Sequence, residues 1–300
     1  MKRLIPALAA ALVTLAVGSP AHATFPGADG KIAFGDSRSG RIYSVNPDGS
    51  SKKQLTTGGR AAYDPEWSPS GGRIAYITSA PKGHPDLQIM NAGGGSPKVI
   101  LEGAKRHFRT MSSPTWSPTG GRIAFCATGK FGTRIFAIDQ DGTNLANLSG
   151  PHRADCDPDW APDGSKIAFR FQTAKGWALG KMDPDGTSRK TIVPTGVNVA
   201  PSYSPDSALI AFDRRTGRGA FDVAVVSVTG KGLHMVTKTK GRWEYAPAWS
   251  PAGDKIVFPR SFGSKKTSPA DLWVVNADGT HPDQITNSPG SETSPSWQKI

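Results

Sequence analysis

One motif recurs along the chain and constrains its fold more than any other feature. It has the form Pro-x-Trp-Ser-Pro, passes through a turn that usually contains glycine, and leads into a short apolar stretch such as Ile-Ala-Phe. A period in the forties, built of short strands and turn residues, is typical of the blades of a β-propeller. The aromatic anchors of the six copies lie roughly 45 residues apart, at Trp67, Trp116, Trp160, Tyr203, Trp249 and Trp297.

Each repeat contains four strand signals. The Trp motif forms the innermost strand and the Ile-Ala-Phe stretch the second. The third strand closes with Asp-Gly in four repeats, at Asp48, Asp141, Asp185 and Asp278, and the fourth strand is short. Asp-Gly between alternating apolar residues indicates a hairpin, because glycine adopts the positive φ that the turn requires. We therefore predict an all-β protein: a six-bladed β-propeller of four-stranded antiparallel blades, with the aromatic anchors as structural core between blades.

The two ends of the chain hold complementary halves of one repeat. The sixth copy stops at Ile300, soon after Trp297, whereas the first Ile-Ala-Phe stretch, Ile32 to Phe34, has no Trp motif before it. We predict that the C-terminal strand pairs with the N-terminal blade. Such a closure removes the exposed edges that an open stack of sheets would leave.

The first residues have the pattern of a signal peptide. Lys2 and Arg3 precede an apolar stretch, and Ala21-His22-Ala23 forms a small-x-small cleavage site. We predict a signal peptide at 1–23 and a propeller at 24–300. No later stretch is long and apolar enough to span a membrane. The protein is thus expected to be exported, with the periplasm, the cell wall and the medium all open as destinations.

The chain has two cysteines, Cys126 and Cys156. The repeat pattern places both on one face of the ring, in adjacent blades. In an exported protein such a pair suggests a disulfide, and two independent thiols are the alternative interpretation.

The full pattern, from Trp-Ser-Pro and Ile-Ala-Phe to the closing Asp-Gly, resembles the TolB-type propeller repeat, a relative of the WD-repeat blade. The resemblance covers essentially all of 24–300. It implies an envelope scaffold that binds another protein, although related repeats also occur beside peptidase domains and in a few enzymes. No segment corresponds to the α/β domain that precedes the propeller in TolB itself.

Charge differs between the two sides of the predicted ring. The chain carries a formal net charge of +12. Much of the excess lies in what we call the long-loop face, formed by the loops leading into each blade and those joining its second and third strands. The remaining, shorter turns form the short-turn face. The candidate binding residues of the long-loop face are Arg38, Arg41, Lys105, Arg106, Arg109, Lys130, Arg134, Arg214, Arg215, Arg218, Lys238, Lys240, Arg242, Lys265 and Lys266.

A basic field on one face can steer an acidic partner toward it. The alternative is a solvated surface that keeps the protein soluble. Nucleic acid is disfavoured, because the chain is exported and no aromatic residues alternate with the basic ones.

Six acidic residues fall at or just before innermost strands, so we expect them around the mouth of the central channel: Asp64, Glu66, Asp155, Asp157, Asp159 and Glu244. In an extended strand, Asp155, Asp157 and Asp159 would point to one side and could contact a divalent cation.

Three histidines, His84, His107 and His152, map to loops of the long-loop face in neighbouring blades. Some TolB-like propellers that cleave uronate polymers bind a metal through histidine, so the resemblance makes these residues weak metal-ligand candidates. No catalytic residue is assigned, and no Gly-x-Ser-x-Gly motif is present.

The preferred hypothesis is a monomeric, non-enzymatic protein, without a required cofactor, that binds an acidic envelope or secreted protein through its long-loop face and channel mouth. One alternative is a metal-dependent lyase or hydrolase acting on an anionic polysaccharide. The other is a passive protein that adsorbs electrostatically to anionic wall polymer.

Overall fold

The structure, a computed structural model, describes residues 24–79, 83–150, 154–216, 219–263 and 268–300. The proposed signal peptide, 1–23, lies outside the described residues, as do His152, Arg218, Lys265 and Lys266.

The described strands form six four-stranded sheets, which we number as blades in the order of their innermost strands. Blade 1 contains β4 (Ala62–Trp67), β5 (Arg73–Thr78), β6 (Asp86–Asn91) and β7 (Lys98–Glu102). Blade 2 contains β8 (Thr110–Trp116), β9 (Arg122–Gly129), β10 (Gly132–Asp139) and β11 (Ala146–Asn147). Blade 3 contains β12 (Asp155–Trp160), β13 (Ile167–Thr173), β14 (Gly176–Met182) and β15 (Lys190–Val193).

The other three blades follow the same order. Blade 4 contains β16 (Asn198–Tyr203), β17 (Leu209–Thr216), β18 (Ala220–Ser227) and β19 (His234–Met235). Blade 5 contains β20 (Ala248–Trp249), β21 (Lys255–Ser261), β22 (Ala270–Asn276) and β23 (Asp283–Gln284). Blade 6 contains β24 (Glu292–Lys299), β1 (Asp29–Asp36), β2 (Arg41–Val45) and β3 (Lys53–Gln54). A short 3-10 helix, Gly103–Arg106, precedes β8.

Blade 6 joins the two ends of the chain. Its strand order is β24-β1-β2-β3, with β24 antiparallel to β1 and Trp297 opposite Ile32. The predicted six-bladed all-β fold and its closure by the C-terminal strand are both confirmed.

A second contact between the ends lies at the short-turn face. The Ala28 N–H donates to the Ile300 carbonyl at 3.2 Å, and the Ile300 N–H donates back to Ala28 at 3.0 Å. The Thr24 hydroxyl donates to the Trp249 carbonyl of blade 5 at 2.6 Å, and Phe25 is buried beside Trp116 and its cluster in blades 1 and 2. The segment 24–28 therefore reaches from blade 5 to blade 2 across this end of the ring.

The core is divided among the contacts between blades. Trp67 clusters with Ile42 and Leu55 of the preceding blade, and Trp160 clusters with Ile135 and Leu148 in the same way. All six aromatic anchors are buried. Three indole N–H groups donate to backbone carbonyls nearby, including Trp116 Nε1 to Glu66 O at 3.1 Å. Each anchor thus fills the space between two sheets, and in Trp116, Trp249 and Trp297 the polar edge of the ring is also hydrogen-bonded.

In every blade a residue with positive φ stands immediately before the proline that precedes the aromatic anchor. These residues are Asp64, Ser113, Asp157, Ala200, Ala246 and Ser294, with φ between 50° and 54°. In five of the six blades the strand pairing shifts at this point, as in a β-bulge. The bulge turns the following side chain away from the simple alternation of an extended strand.

Candidate functional site

The long-loop face carries a set of exposed basic side chains. Eight of the predicted residues are exposed: Arg38, Lys105, Arg106, Arg109, Lys130, Arg215, Lys238 and Lys240. Arg60 and Lys175 are also exposed on this side, at positions that the sequence analysis did not single out. Arg60 lies in the loop that leads into blade 1, and Lys175 lies in the turn that joins β13 to β14. Both could have been found from the sequence by noting every basic residue in these connections.

Three other predicted residues are partly buried and hold loops in place. Arg41 Nη1 donates to the Arg60 carbonyl at 2.8 Å, Arg214 Nη1 to Asn198 Oδ1 at 2.8 Å, and Arg242 Nη1 to the Ser261 carbonyl at 3.1 Å. Each guanidinium uses at least part of its donor set within the protein.

The expectation of an exposed Arg134 is wrong. Its exposed fraction is only 8%, and its Nη1 donates to the Thr133 carbonyl at 3.0 Å. Arg134 lies within β10 rather than in a loop, and it is buried together with its neighbour Ile135.

The six predicted channel-mouth acids are all buried, with exposed fractions between 0% and 6%. The expected alignment of Asp155, Asp157 and Asp159 along one side of an extended strand is wrong, because the β-bulge at Asp157 interrupts the alternation of side chains. Asp155 pairs with Arg189 at 2.7 Å, Asp157 pairs with Arg170 at 2.6 Å, and Asp159 accepts the Tyr203 N–H at 2.7 Å. The three carboxylates of blade 3 therefore have separate protein partners.

Asp64 and Asp157 each connect neighbouring blades. Asp64 accepts the Ser294 hydroxyl at 2.8 Å and the Ser113 N–H at 3.3 Å. Asp157 accepts the Ser113 hydroxyl at 3.3 Å and the Ala200 N–H at 3.2 Å. All five residues lie at or beside the bulges, so these carboxylates stabilise the left-handed backbone there.

Two glutamates in this region have raised pKa values. Burial raises the pKa of Glu66 well above its ordinary value, and a hydrogen bond from Ser296 lowers it in part. Burial also raises the pKa of Glu244, although Arg260 pairs with it at 2.6 Å and acts in the opposite direction. Desolvation dominates in both cases because the charged form loses its hydration.

Further buried acids and their cationic partners escaped the sequence analysis. Glu292 is fully buried and pairs with Lys52 at 2.9 Å. It stands three residues before the proline of its blade, as Asp155 and Glu244 do in theirs. An alignment of the repeats would have shown that Glu292 occupies the same position as Asp155 and Glu244, but it would not have shown that Glu292 is buried.

Burial leaves the two faces with different exposed charge. Among the described residues, Glu102 is the one exposed acid of the long-loop face, and it pairs with Lys105 at 2.8 Å. The exposed acids of the short-turn face are Asp48, Asp141, Asp163, Asp185, Asp206, Asp254, Asp278 and Asp283. The charged groups that the described part of the long-loop face presents to solvent are therefore almost exclusively basic.

The long-loop side of blades 4 and 5 also contains a groove of about 710 Å³. Its lining includes the apolar side chains of Met235 and Trp243, the lysines Lys238 and Lys240, and the buried acid Asp222. It offers concave surface next to positive charge.

The histidine candidates are not gathered into a metal site in the part of the chain that is described. His84 Nδ1 lies 2.8 Å from the Phe108 carbonyl, and His107 is exposed with φ of 56°. The described ranges contain no group of three or more His, Cys, Asp or Glu residues placed to hold a metal ion. His152 is outside those ranges.

Cys126 and Cys156 form a disulfide in the structure, with their Cα atoms 5.1 Å apart. The bond joins β9 of blade 2 to β12 of blade 3. Both residues are buried, so the bond is a covalent connection between blades.

The described residues include no helix that could cross a membrane.

Residues 170–299 match the family model described as the TolB beta propeller domain. The structure is similar to TolB from Acinetobacter baumannii, with a TM-score of 0.78 and 20% identity, over 90% of this chain and 67% of that one. It is also similar to a chain in the nidogen/laminin complex, with a TM-score of 0.69 and 11% identity, over 89% of this chain and 98% of that one.

An oligogalacturonate lyase in complex with manganese matches with a TM-score of 0.55 and 16% identity, over 78% of this chain and 70% of that one. The comparisons establish a TolB-like six-bladed propeller. At these identities they establish the fold alone, because one propeller architecture serves several functions.

Proposed function

We propose that this protein is an exported, non-enzymatic propeller that binds an acidic partner protein through its long-loop face. The observation that carries the proposal is the exposed charge of that face, where basic groups are opposed by Glu102 alone among the described acids. An acidic surface approaching this face would be attracted over its whole width.

Counting all charged residues of this side suggests that its acids offset much of the positive potential, but several of these acids are buried and paired with arginine. Asp155, Asp157 and Glu244 are paired with Arg189, Arg170 and Arg260, which are themselves buried or nearly so. Each pair is close to neutral as seen from solvent, so the exposed lysines and arginines determine the sign of the surface potential.

The groove of blades 4 and 5 is the part of the face best suited to a side chain of the partner. Stable interfaces combine a desolvated apolar centre with a polar rim. Trp243 and Met235 can supply the apolar centre, and Lys238 and Lys240 can supply the polar rim.

Export and a monomeric state are part of the proposal. The sequence of 1–23 has the form of a signal peptide, and disulfides such as Cys126–Cys156 persist in oxidising compartments outside the cytosol. No cofactor is required in this scheme. Binding is therefore expected to survive a chelator, and the same treatment tests whether a divalent cation is bound by the acidic residues of the innermost strands.

The experiment is a capture assay with matched charge reversals. Residues 24–300 are immobilised, exposed to envelope extract, and washed at low and then moderate salt. One variant carries Arg106→Glu, Lys238→Glu and Lys240→Glu on the long-loop face. Its control carries Lys53→Glu, Lys98→Glu and Lys231→Glu on the short-turn side, where these lysines are also exposed.

The proposal predicts one discrete acidic protein, bound saturably by the wild type and the control but lost by the long-loop variant. Recovery of anionic polymer alone, released as salt screens the charges, would instead support passive adsorption. Equal losses from both variants would exclude the long-loop face as the binding surface, and loss with chelator would favour the metal-dependent alternative.

A further inference from the structure

The hairpin of blade 2 ends in an exposed aromatic residue. Gly129 of β9 lies opposite Gly132 of β10, so Lys130 and Phe131 form the tip. Phe131 is 78% exposed, the largest fraction among the exposed large hydrophobic side chains that the structure describes. Because the side chain is exposed, it contributes little to the core of the fold, and it leaves apolar surface in contact with water.

Basic residues lie at this tip and in the loop packed beside it. Lys130 Nζ lies 5.6 Å from the centre of the Phe131 ring. The loop leading into β8 packs directly beside the hairpin, since the Arg109 N–H donates to the Thr128 carbonyl at 2.7 Å and the region of Gly129 contacts Phe108. That loop contributes Lys105, Arg106 and Arg109, all exposed.

The hairpin is also fixed rather than loosely attached. β9 and β10 pair over eight residues each, and Thr128 and Thr133 bond through their hydroxyls at 2.9 Å just below the tip. Phe108 packs at the base, 4.9 Å from Phe136 between ring centres. The position of Phe131 is thereby held at the level of the long-loop face.

We propose that this tip attaches the protein peripherally to an anionic lipid surface. A single phenylalanine at a protruding turn can enter the boundary between headgroups and acyl chains, while Lys130 and the exposed basic residues of the adjacent loop can contact anionic headgroups. A protein pocket for Phe131 would also need to accommodate the Lys130 ammonium group beside the ring and the basic loop packed next to the hairpin. A planar anionic surface fits that arrangement without a specific shape.

The lipid surface differs from the acidic protein partner proposed above, and it uses blade 2 rather than the groove of blades 4 and 5. Because the assay contains only vesicles, its failure leaves the protein-binding proposal intact.

The first experiment measures cosedimentation of the protein with vesicles of phosphatidylcholine, with or without phosphatidylglycerol. We expect binding that depends on phosphatidylglycerol. Phe131→Ser should weaken it about tenfold, the loss expected for one partly buried aromatic side chain. The matched control is Leu233→Ser, which alters an apolar side chain exposed by 41% at the opposite, short-turn end of blade 4.

A second measurement reports insertion directly. The chain's two cysteines are joined to each other, so Phe131→Cys provides a single site for a polarity-sensitive dye, and Leu233→Cys provides its control. A blue shift of the dye at 131 with anionic vesicles, and none at 233, is the expected result.

Three outcomes would overturn the proposal. Absence of vesicle binding by the wild type would exclude attachment to lipid. Binding that is unchanged by Phe131→Ser, with no spectral shift at 131, would show electrostatic adsorption without insertion. A shift that occurs with envelope protein but not with vesicles would assign Phe131 to a protein interface instead.

Discussion

The acidic residues of the two faces of the ring differ in exposure and in hydrogen-bond partners. On the short-turn face, Asp48, Asp141, Asp185 and Asp278 stand in exposed hairpin turns, where each accepts hydrogen bonds from the Ser or Thr two residues later. On the long-loop side, Asp155, Asp157 and Glu244 are buried and paired with arginine. The same residue types therefore support turns on one face and connect strands and blades on the other.

This difference shows why a face's charge cannot be obtained by counting residues in its loops. The long-loop side contains many acids, yet burial withdraws nearly all of them from the surface. The exposed basic groups are left without an equal number of exposed acids. The four predictions below test this contrast, in order of decreasing effect.

The largest effect is expected from breaking a buried pair. Arg170→Met removes the partner of Asp157, and both side chains are at most 3% exposed. Leaving a buried carboxylate unpaired should lower the free energy of unfolding by about 3–5 kcal/mol. Urea denaturation measures this loss.

The control for that variant is Lys166→Met, which removes the partner of the partly exposed Asp183. Exposed pairs contribute at most about 1 kcal/mol, so this variant should remain close to the wild type. Equal losses in the two variants would contradict the contrast between the faces.

The disulfide should have the next largest effect. Replacing both Cys126 and Cys156 by serine opens a loop that spans 30 residues in sequence. The expected loss of unfolding free energy is about 2–4 kcal/mol, because the unfolded chain gains freedom. Wild-type protein unfolded under reducing conditions should match the variant, and an unchanged stability in both would show that the link contributes nothing.

A smaller effect, with a defined pH dependence, is expected for Glu66→Gln. The folded pKa of Glu66 is raised, so the folded state holds its proton at pH values where the unfolded state has lost it. Its contribution to stability is therefore present at low pH and decreases as pH rises from about 4 through the folded pKa. The variant should be more stable than the wild type at pH 8 by on the order of 1 kcal/mol, with the difference shrinking toward pH 4. A pH-independent difference would contradict the assignment.

The smallest effect, with the opposite pH dependence, is expected on the short-turn face. Hydrogen bonds from Thr280 lower the pKa of Asp278. Its contribution is present at neutral pH and is lost as pH falls through the lowered pKa. Asp278→Asn should thus reduce the loss of stability in acid while leaving the behaviour between pH 6 and pH 8 unchanged. A change confined to high pH would be the contrary result, and thermal denaturation across pH distinguishes the two.

The fold could be predicted because its determinants are local and repeated. The spacing of Trp67, Trp116 and their counterparts sets the blade length, and the Asp-Gly turns set the hairpins. Closure by β24 followed from the incomplete first and last repeats.

The environment of the site could not be predicted in the same way, because it depends on contacts between distant residues. Asp157 meets Arg170 across a strand pair and Ala200 across a blade boundary. Its bulge breaks the alternation that the sequence suggested. The burial of Arg134 and the exposure of Phe131 likewise follow from where β9 and β10 end.

The most direct test of the account is hydrogen–deuterium exchange of residues 24–300 with and without the partner obtained by capture. We predict protection in the loops of the long-loop face, above all around Lys238, Lys240 and Trp243. We also predict unchanged exchange in the Asp-Gly turns. Protection of those turns, with the long loops unaffected, would contradict the assignment of the binding face.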